Sequence, residues 1–193
     1  INGNEIGKSL KAIFDPIRKK GTNYYEDFQE YMYHLHNIDR MAQEKPVFGE
    51  SITAEESKKV SDYLLSQHPE FAQEAAEVRN YLDNMMQYRV QGGLVSDEGA
   101  KALNEMYSNY VPTYRLNPST KGLTYSGQVT DIKTGIKKAV GSSKDLLPLH
   151  EQISKQTMQA VKATHDNLFG LRLAQNINPK TQQYVQELKK IQD

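Results

Sequence analysis

The sequence contains no cysteine and no tryptophan. Without thiols it can hold no disulfide, no thiolate zinc site and no cysteine nucleophile. Apolar residues are also scarce: hydrophobic side chains make up 37% and charged ones 25%, poorer in apolar groups than an average globular chain. No apolar run exceeds a few residues, so neither a membrane span nor a signal-peptide core is expected in this stretch. No Gly-x-Ser-x-Gly, His-Glu-x-x-His, Walker or dinucleotide-binding pattern occurs. The first residue is Ile rather than Met, which points to a piece of a longer protein.

Net charge is zero, but it is unevenly placed. Residues 22–112 carry 16 acidic and 7 basic side chains, a net of −9, whereas residues 113–144 carry 6 basic and 1 acidic, a net of +5. Blocks of opposite sign fit segments that dock on each other or on separate partners. Tyr, Leu, Ile and Val recur at regular spacing, which separates the chain from disordered compositions.

Helical periodicity dominates. Residues 4–19 place Ile6, Leu10, Ile13, Phe14 and Ile17 on one stripe, with Pro16 expected to end or kink the helix near Phe14. A second helix is expected over 23–44, capped by Thr22 or Asn23, with Tyr24, Phe28, Tyr31, Met32, Leu35, Ile38 and Met41 at spacings of three and four. "TAEE" at 53–56 is a capping box opening a helix to about Gln67. Pro69 then suits the first turn of a helix that stops at Gly92-Gly93. Ser96 caps a helix over 97–110 whose apolar side is Leu103, Met106, Tyr107 and Tyr110, ended by Pro112. Residues 113–144 read as an extended basic arm with a short hairpin around 123–135. Helical pattern resumes from about Leu146 to Gln175, and a last amphipathic helix is expected from Pro179 through Ile191.

These signals describe an all-α fold: an elongated antiparallel helical bundle over 1–116, a basic arm or linker over 117–144, and C-terminal helices over 145–193. The long polar helices also suit a homo-oligomer, including an intertwined dimer.

The densest chemistry lies in "YHLHNIDRM". His34 and His36 are two apart, about 200° around a helix, and cannot chelate one ion together. No metal, cofactor or catalytic pair is assigned: the carboxylates Glu26, Asp27, Glu30, Asp39, Glu44 and Glu50 follow a solvated face. An anion at the amino end of the Ser96 helix would meet Asp97 and Glu98. The expectation is instead a polar and aromatic cluster that fixes helix register, made of His34, Asn37, Arg40, Tyr110, Tyr114 and Arg115. The basic arm offers Lys121, Lys133, Lys137, Lys138 and Lys144 as nucleic-acid contacts, interleaved with Tyr, although no recognised binding motif frames them.

The order "HNIDRM", "EKPVFG", "HPEF", "YRVQGGLVSDE" and "YVPTYR" resembles a helical module of the large "polyvalent" proteins of phages and prophages, over roughly residues 20–116. The resemblance implies a non-enzymatic structural or interaction module between other domains, with other virion proteins or domains as partners. It also implies a place in the virion or the bacterial cytoplasm. It supplies no catalytic residue.

Overall fold

The computed structural model describes residues 5–48, 52–114 and 146–176. They form six helices: α1 Leu10–Lys19, α2 Thr22–Met41, α3 Ala54–Gln67, α4 Phe71–Gln91, α5 Asp97–Met106 and α6 Leu149–Asn176. No β-strand occurs among the described residues, and the fold is all-α. No helix among them is long and apolar enough to cross a membrane. The expected hairpin near 123–135 and the last helix over 179–191 lie outside the described residues.

Three helix starts follow from local chemistry. Ser9, Thr53 and Ser96 are N-caps whose hydroxyls accept the amides of Ala12, Glu56 and Gly99. At Thr53 the box is reciprocal, because the Glu56 carboxylate takes the Thr53 amide at 2.8 Å. Gly92 is the C-cap of α4, and Gly93 follows in the left-handed region at φ 71°, a conformation glycine adopts without strain.

Other boundaries differ from the sequence expectation. The first helix begins at Leu10, not near residue 4, because Ser9 caps it. It then runs straight through Pro16. Pro16 sits on the exposed side, so the carbonyl one turn back faces water, while Ile13, Phe14 and Ile17 are buried and hold the turn together. Neither Thr22 nor Asn23 caps α2: its N-cap is Gly21, at φ 117°. Pro69 and Glu70 form a turn ahead of α4, which begins at Phe71.

Helix α5 stops at Met106, well before Pro112. The cause is a distant acceptor. Asp39 on α2 takes the Asn109 amide at 2.6 Å and the Asn109 side chain at 3.3 Å, drawing the chain out of helical geometry. The apolar side expected for this helix is only partly formed: Met106 is 44% exposed, while Tyr107 and Tyr110 pack on His36 from beyond the helix end.

Helix α2 is central. Its buried residues Phe28, Tyr31, Met32, Tyr33, His34, His36, Asn37 and Arg40 face in several directions. α2 and α3 run antiparallel, with Tyr24 against His68 at one end and His34 against Ser57 at the other. α1 and α4 are antiparallel too, tied by Lys8–Glu77 and Lys20–Glu74. α4 and α6 run parallel, since Tyr81 meets Thr157 and Gly92 meets Asn167. The antiparallel expectation concerned residues 1–116; α6 belongs to the C-terminal segment and lies parallel to α4.

One core joins these helices. Phe14 meets Phe28 edge to face at 6.5 Å, and Phe28 meets Phe71 at 5.3 Å. Leu149 and Ile153 of α6 are fully buried in the same cluster, so α6 packs on the helices before it. Its start is fixed from outside: the Leu149 amide, an orphan donor of the first turn, is taken by Gln29 Oε1 of α2 at 2.7 Å.

Candidate functional site

The chemistry-bearing side chains of α2 divide into two buried seams, because residues three apart step about 60° around a helix. The first faces α3. Asn37 Nδ2 donates to Ser57 Oγ at 2.8 Å, and Asn37 Oδ1 accepts the Val47 amide at 2.6 Å. Ser57 Oγ also lies 3.1 Å from His34 Nδ1, while His34 Nε2 is 3.6 Å from Glu30. With the His34 proton on Nε2, toward Glu30, Nδ1 accepts the Ser57 proton while Ser57 accepts from Asn37. Burial holds the His34 pKa below its usual value, with Glu30 opposing.

Carboxylate, imidazole and hydroxyl in that order would serve nucleophilic catalysis at an open site. Here Ser57 is 0% exposed and Asn37 0% exposed. The hydroxyl has no approach for a substrate, and its lone pair holds the Asn37 amide. The arrangement sets the register of α2 on α3.

The second seam faces residues 107–114. Arg40 donates from Nε to the Lys45 carbonyl at 2.6 Å, and Lys45 returns its amide to the Arg40 carbonyl at 2.9 Å. His36 packs edge to face on Tyr110 at 5.5 Å and near Tyr107 at 6.1 Å. Neither ring nitrogen of His36 has a hydrogen-bond partner. The Asn109 backbone lies near enough to favour the protonated form. Burial, aided by Arg40, pushes the His36 pKa down to about 3.

A ladder on α6 continues this seam. Gln152 Nε2 donates to Tyr33 Oη and to the Leu147 carbonyl, and its Oε1 takes the Tyr114 amide. Gln156 donates to Tyr110 Oη at 2.6 Å, and Tyr114 Oη donates to Gln159 at 2.7 Å. Burial raises the pKa of both phenols, Tyr114 to about 12. At the foot of α6, Tyr25 Oη accepts the His150 amide at 3.3 Å and lies 2.6 Å from His150 Nδ1, and burial holds the His150 pKa below its usual value.

The structure therefore splits the expected cluster. His34 and Asn37 meet Ser57, while Arg40, Tyr110 and Tyr114 belong to the second seam. Arg115 and the lysines at 121, 133, 137, 138 and 144 lie outside the described residues. Sequence reasoning missed Ser57 and the three glutamines, and it set Asp39 on a solvated face, where it instead holds Asn109. A signal existed for the glutamines: Gln152, Gln156 and Gln159 step by four and three, as Tyr107, Tyr110 and Tyr114 step by three and four.

Among the described residues, no three His, Asp or Glu side chains are placed to hold a metal ion. A groove of about 420 Å³ lies between residues 7–8 and α4 and is lined by Lys8, Glu77, Asn80, Tyr81 and Asp83. No protein-family model matches the chain, and no curated protein or solved structure does either.

Proposed function

We propose that this chain is a non-enzymatic structural and interaction module of a larger phage or prophage protein, holding neighbouring domains or virion partners in place. The observation that carries the proposal is the direction of its chemistry. His34, His36 and Ser57, the groups best suited to acid–base or nucleophilic work, are 4%, 1% and 0% exposed, and two of them are spent on helix register. The motif order over residues 20–116 supplies the phage context. The scaffold in this reading is α2, gripped from several sides, with α6 bound to it through Tyr–Gln contacts.

The competing reading is a nucleic-acid-binding module that uses the basic stretch 113–144, favoured by its net charge of +5 beside an acidic body. Gel retardation of labelled single-stranded DNA at low salt separates the two, since phosphate contacts are strongest there. The structural reading expects no shift. A shift lost on replacing Lys133, Lys137 and Lys138 together would replace it with nucleic-acid binding. Mass spectrometry of purified particles, expected to find the chain in the virion, tests the phage context.

A further inference from the structure

Helix α6 turns one side to the body and an apolar side away from it. Leu149, Ile153, Ala160 and Ala163 are buried, and Asn167 donates to the Gly92 carbonyl, all from one side of the helix. About half a turn away stand Met158, Val161, His165, Phe169 and Leu173, at steps of three and four. Met158 is 59% exposed, Phe169 69% and Leu173 54%. A helix apolar on two opposite sides has the pattern of one packed from both, and a row of exposed apolar side chains marks a contact surface.

The sequence beyond α6 carries the complement. Helix α6 ends at Asn176, and Asn178-Pro179 is a helix-starting pair. After it, Tyr184, Val185, Leu188 and Ile191 share one stripe, whereas residues 180–183, 186, 187, 189 and 190 are polar. So short a helix is marginal alone in water, and its single apolar stripe calls for one surface. The lengths agree. Residues 179–191 as a helix extend about 18 Å, the same rise that leads from Asn176 back to Thr164. A turn at 177–178 is within the usual range for a helical hairpin.

We propose that residues 179–191 fold back on α6 as an antiparallel helix, laying Tyr184, Val185, Leu188 and Ile191 over Leu173, Phe169 and His165. Met158 lies beyond the reach of this helix and stays exposed. Proximity selects this occupant over a second copy of the chain. The segment is tethered beside the face it covers, which sets an effective concentration in the millimolar range, whereas a second copy offers only its own concentration. The outward side of α6 is then closed by the chain itself. The inference is independent of the scaffold reading, since a structural module and a nucleic-acid-binding one could each carry such a hairpin.

The chain has no native cysteine, so introduced thiols report without background. In the full chain, Phe169→Cys is expected to be alkylated at least tenfold more slowly than Met158→Cys on the same side of α6. Adding Leu188→Glu and Ile191→Glu is expected to restore the rate. In a second measurement, mild oxidation of His165→Cys/Gln192→Cys is expected to give a disulfide within one chain. Glu151→Cys/Gln192→Cys is expected to give none, because Glu151 lies about 21 Å from His165 along the helix. Glu151 and His165 are both exposed, so their replacement leaves the core intact, and this pair decides alone should Phe169→Cys fail to fold. Equal alkylation rates, or slow alkylation that the two glutamates leave unchanged, would overturn the proposal. So would the absence of any disulfide, and a disulfide formed only between chains would replace it with a second copy.

Discussion

Ser57 Oγ stands 3.1 Å from His34 Nδ1 and 2.8 Å from Asn37 Nδ2, so one hydroxyl of α3 completes two polar side chains of α2. Ser57→Ala leaves both without their partner in a buried site. The expected loss is about 1–3 kcal/mol of unfolding free energy, against less than about 0.5 kcal/mol for exposed Ser66→Ala. Urea denaturation of the two variants decides the matter, and equal midpoints would refute the role given to Ser57.

The histidines set a pH dependence of definite sign. His34, His36 and His150 all have pKa values pushed below the usual 6.5, chiefly by burial. Below pH 6.5 the unfolded chain therefore binds protons that the folded chain refuses. Stability is full above 6.5 and falls as pH drops through it, by up to about 1.4 kcal/mol per pH unit for each such histidine. For His36 the fall continues toward its folded value of about 3. Melting at pH 7.5, 6 and 5 should show a steady decline, and His36→Phe should flatten it. A constant Tm over this window would contradict the neutral, buried state assigned to these rings.

Gly92 has an ordinary backbone conformation, φ −83°, so its requirement is for space. A methyl group there would sit 2.3 Å from Thr164 Cγ2 of α6. Gly92→Ala is expected to cost about 1–3 kcal/mol through overpacking. Thr164→Ser, which removes that methyl, should recover much of the loss. A double-mutant cycle by chemical denaturation measures the coupling, and additive effects would mean that the helices are not in contact there.

What the sequence made legible follows the range of each interaction. The caps at Thr53 and Ser96 and the stop at Gly92 were readable because donor and acceptor lie within a turn of each other. The buried stripe of α2 was readable from its spacing. The end of α5 was not, because its cause is Asp39, about 70 residues upstream. Pro16 misled for a similar reason, since packing by Ile13, Phe14 and Ile17 outweighs a local rule. In the candidate site, the spacing in "HLHNIDR" placed His34 and His36 on different faces of α2, and one meets Ser57 while the other meets Tyr110. Which face of α2 each residue would serve depended on α3, residues 107–114 and α6, and no local pattern carries that information.

Gln29 completing the first turn of α6 has a consequence for modularity. Helix α6 does not carry its own beginning: the group that receives its leading amide is stored on α2, 120 residues earlier. The two helices are thus coupled at the first turn of α6. A recombination event that exchanged the C-terminal part of this protein for that of a relative would transfer a helix without its starting point, unless α2 travelled with it.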